Sequence, residues 1–282
     1  MVKTVKKNMN LIIRYTILLL VGVVMLYPLL WLFGASFKSN NEIFTSINFI
    51  PKRLDFTSYV NGWQTGTEYT FAKYFLNTFL IIIPKVLGTV LSCVITAYGF
   101  ARFKFFGKKA LFAVLISTLL LPSVVIYIPQ FLIFRYFGWL DTYLPLIVPS
   151  MLAFDTFFVF MLIQFIRGIP KELEEAAKID GCNPIQTLWY VIVPVLKPAI
   201  ISVALLQFMW SMNDFLGPLL YISSVEKYPV VLALRMAMDA SAETKWNEMI
   251  AMSIVTILPS LVLFFAAQKH FVEGVTSGSV KG

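Results

Sequence analysis

The chain has 282 residues, 59% of them hydrophobic and only 13% charged. No soluble domain of this size needs so much apolar surface, so the composition predicts an all-α polytopic membrane protein and excludes a soluble enzyme. The formal charge of +8 comes from basic residues spread through short polar stretches, the pattern of membrane orientation rather than of a nucleic-acid-binding face.

In chain order, Lys3, Lys6, Lys7 and Arg14 precede an uncharged run from Tyr15 to Phe37. A signal-peptide core is about 7–15 residues and a span about 20, so this run predicts a first membrane helix over 15–37, entering from the cytoplasm. Residues 38–76 are polar and aromatic, with room for short helices and little core of their own. The second span is expected over 77–101, with Lys85 near its outer end and able to snorkel to the interface. A basic hairpin (Arg102, Lys104, Lys108, Lys109) leads to a third span over 110–128. An outer loop carrying Arg135 precedes a fourth span over 145–166, which contains Asp155. The fifth span is expected over 198–222 and the sixth over 247–269. This gives one transmembrane domain over 1–282, with both termini cytoplasmic. Of the 23 lysines and arginines, 14 fall on the cytoplasmic side.

The polar interruption 167–197 is built for helices. Pro170 suits a first helical position, and Glu172, Glu174 and Glu175 put negative charge in the first turn, where the helix dipole favours it. Glu174 and Lys178 are spaced for an ion pair. Gly181 can end the helix in the left-handed conformation. Asn183-Pro184 then reads as the cap and first position of a second short helix, limited by Pro194. Leu173, Ala176, Ala177 and Asp180 share one face, and the two alanines let another backbone come close.

Glu175-Ala176-Ala177, then Gly181, then Val191-Ile192-Val193-Pro194 resembles the EAA signature of binding-protein-dependent ABC importer permeases. The resemblance continues through Asn77-Thr78, Ala97-Tyr98, Ala101-Arg102-Phe103, Gly107-Lys108-Lys109, Leu121-Pro122, Gly138, Asp141-Thr142, Asn213-Asp214-Phe215 and Gly274-Val275-Thr276. It is closest to the shorter permease subunit of maltose-type carbohydrate importers. Val191 and Val193 stand where the signature has Ile and Leu, and Cys182 where Ala is common. Residues 38–76 match least.

The resemblance implies an ABC importer permease fold in a bacterial-type cell (inner) membrane. It makes 167–197 a coupling loop, with Glu175, Ala176, Ala177, Asp180 and Gly181 contacting an ATPase, and Gly278 and Lys281 reaching it from the C-terminal tail. The implied partners are a second homologous permease, two copies of an ABC ATPase, an extracellular or periplasmic solute-binding protein, a sugar and membrane lipid, with no nucleic acid. No cofactor is expected on this chain; ATP and Mg belong to the partner ATPase.

The chemistry missing from the chain agrees with a non-catalytic transport subunit. It has no G-x-x-x-x-G-K-[ST] phosphate loop, HExxH, GxSxG or Cys/His cluster. Cys93 and Cys182 offer no disulfide framework, and His270 stands alone. Polar groups within spans are costly and usually face a bundle interior or a water-filled path. Gln207, Ser211 and Asp214 fall on one stripe of the fifth span beside Trp210, and suit a sugar path; the same groups could instead bond neighbouring helices. A stand-alone ion-coupled carrier using Asp155 and Asp214 is the alternative function, and the coupling loop counts against it, because such a carrier needs no docking helix.

Overall fold

The computed structural model describes residues 2–64, 68–239 and 245–277. Among the described residues every regular element is helical. The first part of the chain forms α1 (Val2–Ala35), α2 (Asn40–Thr45), α3 (Thr57–Gln64), α4 (Phe71–Arg102), α5 (Lys108–Leu119) and α6 (Ser123–Tyr136). Then come α7 (Leu144–Met151), α8 (Thr156–Gly168), α9 (Glu172–Ile179), α10 (Pro184–Thr187) and, after a π-turn at Leu188–Ile192, α11 (Val193–Met212). The last elements are α12 (Leu216–Tyr221), α13 (Val230–Asp239) and α14 (Trp246–Ser277).

Among the described residues five stretches are long and apolar enough to cross a membrane: Leu11–Ala35, Phe71–Arg102, Leu144–Gly168, Pro184–Met212 and Trp246–Lys269. A sixth exists only if Lys108–Leu119 and Val124–Tyr136, bent by 109°, count as one. The expected third span over 110–128 is therefore broken near its middle. Pro122 sits in extended backbone at the start of α6, and proline disfavours helix in the residue before it. The fourth span is also in two pieces, α7 and α8. Ala153 takes a positive φ of 58° in the gap, a conformation that a Cβ disfavours.

The fifth span differs most from expectation. It does not start at 198 but runs from Pro184 to Met212, and 216–221 forms the separate α12. Pro194 does not end the helix. Upstream of it the chain widens into the π-turn, where the Val193 amide bonds Leu188 O, five residues back. That wider turn accommodates a proline that brings no N–H to the ladder.

The chain divides into two compact units, residues 1–71 with 234–257 and residues 72–233 with 258–282. In the first, Asn247 Nδ2 donates to Ser58 Oγ at 3.0 Å, and the Trp246 amide donates to Asn40 Oδ1 at 2.9 Å. Lys38 is fully buried, its ammonium bonded to the carbonyls of Asn48 and Ser46. Gly34 lies directly against the Phe49 carbonyl, where a Cβ would come within 2.3 Å of the oxygen.

The second unit holds the main core. Leu188, Ile192, Leu196, Ala199 and Val203 form one buried stripe that runs unbroken from the π-turn into α11. Phe158, Val159, Leu162, Ile163 and Ile166 of α8 pack with it, as do Cys93, Val94, Ala97 and Tyr98 of α4. A smaller aromatic cluster joins Ile81, Phe134, Leu146, Tyr221 and Ile222.

Beside that cluster, two loops are clamped by Asp141. Its carboxylate accepts from the Ser223 and Ser224 amides at 3.1 and 2.8 Å, the Ser224 hydroxyl at 2.6 Å and the Lys227 ammonium at 2.9 Å. The Ser224 hydroxyl, then Lys227 and the two amides, hold the carboxyl well below the usual carboxylate range. A lowered folded pKa adds stability that is whole above the ordinary Asp value and is lost as pH falls through the folded value. Asp141→Asn keeps an acceptor oxygen and tolerates the positive φ of 57°. It is expected to lower stability by about 1 kcal/mol or less at neutral pH. It should also flatten the fall of Tm below about pH 4, where the free carboxyl begins to titrate. Thermal melts of both proteins across that range check this; identical acid slopes would remove the clamp.

Candidate functional site

The interruption after α8 folds as a helix, a tight corner and a second helix start. α9 begins at Glu172, so Pro170 lies before the helix rather than at its first position. Glu172, Glu174 and Glu175 occupy the first turn as expected. Gly181 closes the helix with φ +84°. Its amide bonds Lys178 O at 3.1 Å and the Cys182 amide bonds Ala177 O at 2.9 Å, the paired bonds of a glycine-ended helix. Asn183 then caps α10. Its Oδ1 accepts from the Gln186 amide at 2.9 Å, and Gln186 Oε1 accepts from the Asn183 amide at 2.8 Å. Gln186 was not anticipated, although Asn followed three residues later by Gln is the legible form of this reciprocal cap.

The proposed face of α9 is split. Ala177 is buried against the π-turn, whereas Ala176, Asp180, Glu175 and Gly181 are exposed. Apolar side chains project with them: Leu173 is 42% exposed, Ile185 69% and Ile179 87%. Glu174 turns inward to the Arg102 guanidinium instead of to Lys178. Arg102 Nη2 also donates to Ile169 O at 2.7 Å. Nothing in local spacing pairs Arg102 with Glu174, and the sequence places it only in a basic hairpin.

The polar stripe of α11 also divides. Gln207 is 2% exposed, and its Nε2 reaches Asp155 Oδ2 at 3.4 Å, an oxygen that also accepts from Thr89 Oγ1 at 2.8 Å. Ser92 Oγ of α4 donates to Ser150 O at 2.8 Å, so the broken fourth span is held by polar bonds at both sides of its gap. Asp214 accepts from the Gly217 amide at 3.0 Å and lies 3.8 Å from Lys85 Nζ. Lys85 therefore points to Asp214 within the protein and does not snorkel, its side chain being only 16% exposed. Ser211 Oγ is buried beside this pair and lines a water-sized pocket with Lys85, Asp214 and Thr78. Trp210 and Asn213 face outward, Trp210 lying against Phe157 and Phe158 at ring distances of 5.3 and 4.9 Å. Gly278 and Lys281 lie outside the described residues. Among the described residues no group of His, Cys, Asp and Glu is arranged to hold a metal.

Residues 88–277, which contain α9, its corner and α11, match the family described as binding-protein-dependent transport system inner membrane component. The chain belongs to this family. It is a multi-pass transport permease, and its family resemblance holds along nearly its whole length. It is 30% identical over 272 residues to the diacetylchitobiose uptake system permease protein NgcG of Streptomyces coelicolor, covering 95% of this chain and 88% of that one. It is 27% identical to the galactooligosaccharides transport system permease protein GanQ of Bacillus subtilis, covering 99% and 98%. It is also 27% identical to the trehalose/maltose transport system permease protein MalG of Thermococcus litoralis, covering 94% of each. The permease shares its fold with a chain of a bacterial ABC transporter involved in the import of the acidic polysaccharide alginate, at a TM-score of 0.79 and 23% identity over 92% of this chain and 95% of that one.

Proposed function

We propose that this permease is one half of the membrane path of an ATP-driven importer for a sugar or oligosaccharide, and that it carries no catalytic activity of its own. The relatives above are named for uptake of oligosaccharides and disaccharides, which supports a carbohydrate substrate. The observation that carries the coupling role is α9 and the corner after it: a short, acidic-ended helix closed by Gly181, presenting Leu173, Ala176 and Ile179 outward, with Ile185 of α10 exposed beyond the corner. Such a rigid apolar projection suits a groove on a separate ATPase, with Glu175, Asp180 and Gly181 at its edge. ATP and Mg are then bound by that ATPase. A second homologous permease completes the path, two ATPase copies drive it, and a solute-binding protein delivers the sugar from outside. The basic termini and the hairpin 102–109 support both ends being cytoplasmic. Gly278 and Lys281 extend the ATPase contact through the tail. Asp155 and Asp214, the carboxylates an ion-coupled carrier would use, are engaged by Thr89, Gln207 and Lys85, which weighs against that alternative.

The test is reconstitution. The permease, co-expressed with candidate partner subunits and placed in liposomes, should show ATP hydrolysis that rises when a sugar-loaded binding protein is added, and sugar uptake that requires ATP. Uptake driven by an ion gradient in the absence of the ATPase would overturn the proposal.

A further inference from the structure

Arg102 is the last residue of α4, and its side chain is only 7% exposed. Its guanidinium bridges the two sides of the corner between α8 and α9. Nη2 holds the carbonyl of Ile169, the extended residue that ends α8, at 2.7 Å. Nε pairs with Glu174 in the first turn of α9. Tyr98, one turn earlier on α4 and 6% exposed, lines the same cleft as Arg102 and Glu174. α9 also packs on the π-turn and α10, which follow it in the chain. The Arg102 link ties it to a helix remote in sequence. A guanidinium suits this task because it is always charged and offers donors in a fixed planar fork, whereas an ammonium is a point charge.

We propose that Arg102 is a positioning residue for coupling, locking the start of α9 and the end of α8 to α4, so that a displacement of α9 moves α4 as one body. The inference rests on the reading of α9 as the ATPase contact. It assigns to α4, the helix that carries Lys85 and Thr89, the role of receiving that displacement. Without the lock α9 would still dock, but its motion would dissipate at the corner. Glu174 is then a structural anchor within α9, and Glu175, its exposed neighbour, is left for the partner.

Cys182 is half-buried and lines a cleft of about 340 Å³ together with Arg102, Lys171, Glu174, Glu175 and Lys178. The other cysteine, Cys93, is buried, so Cys182 is a native reporter of α9. A reporter of α4 is available at Gly99, where an added Cβ meets nothing within 4 Å. The experiment uses the full permease with its co-expressed ATPase in inverted membrane vesicles. Maleimide labelling of Cys182 and the emission of a bimane on Gly99→Cys (in a Cys182→Ser background) are followed before and after trapping with ATP and vanadate. In the otherwise unaltered permease both reporters are expected to respond. With Arg102→Lys the Cys182 response persists and the α4 response falls at least about fivefold, the lower end of ordinary coupling between sites. Glu174→Gln, which leaves the bond from Arg102 to Ile169 in place, tests the same lock independently and is expected to weaken the α4 response in the same direction. If both variants lower thermal stability but leave the α4 response whole, Arg102 is merely structural and the inference fails. If neither reporter responds in the unaltered permease, the reading of α9 as the ATPase contact fails first.

Discussion

Replacing Gly181 is expected to lower ATP-driven uptake in an order set by backbone conformation, with Asn close to wild type, Ala reduced, and Pro inactive. The residue sits at φ +84° and a Cβ there would touch nothing within 4 Å in this chain, so side-chain bulk does not strain the corner itself. An Ala in the left-handed region costs about 1–2 kcal/mol, whereas Asn visits it more readily. Proline cannot reach that φ, and it also removes the amide that bonds Lys178 O. The corner then opens, and Cys182 can no longer close on Ala177. The exposed residues Leu173, Ile179 and Ile185 lose their fixed relation across the corner. The chain should still insert, because the stripe from Leu188 to Val203 is untouched. The measurement is co-purification of the ATPase with each variant, alongside uptake in vesicles. Equal co-purification and uptake for Asn, Ala and Pro would reduce the corner to a connector.

The corner was legible because its signals are local. Acidic residues in a first turn, a glycine six to nine residues later and Asn-Pro beyond it each act on their own neighbourhood, and the structure places a helix, a left-handed glycine and a cap there. Spans were legible as apolar runs, yet their interruptions were not. The gap between α7 and α8 contains Leu152, Ala153, Phe154 and Asp155, with neither Gly nor Pro to mark it. It persists because Asp155, Ser150 and Cys93 find polar partners across helices. The π-turn was hidden for the opposite reason: Pro194 is a strong stop signal, and a wider turn upstream cancels it. Long-range partners were invisible. Lys85 read as a snorkelling residue until Asp214 was beside it, and Arg102 as a hairpin charge until Glu174 was. Periodicity gave the stripe Gln207, Ser211 and Asp214, but a stripe has a direction only once its neighbours are known.

That direction yields the second large expected effect. Gln207→Leu should destabilise the folded permease while leaving uptake per folded molecule near wild type, whereas Trp210→Ala and Asn213→Ala should lower uptake per folded molecule. Gln207 is buried and shares Asp155 with Thr89. Leu would leave the carboxylate with one side-chain donor fewer, at a cost of about 1–3 kcal/mol for a buried acceptor. Interhelical bonds in membranes average less, so the lower part of that range is expected. Trp210 is 50% exposed and Asn213 is also exposed, at the end of α11 where an aromatic face stands next to an amide. A sugar offers apolar ring faces and hydroxyls, which are the complements of those two groups. Asp214 lies behind them, paired with Lys85, and can hold that end of the helix in place, with Ser211 lining the same small pocket. Loss of Trp210 should cut uptake about tenfold, the equivalent of roughly 1.4 kcal/mol of contact. Thiol chemistry provides the independent check. Cysteines at 210 and 213 should react with small water-soluble reagents, with rates that change on ATP trapping, and a cysteine at 207 should stay unreactive in every state. A reactive thiol at 207 together with silent ones at 210 and 213 would place the sugar path on the opposite face of α11.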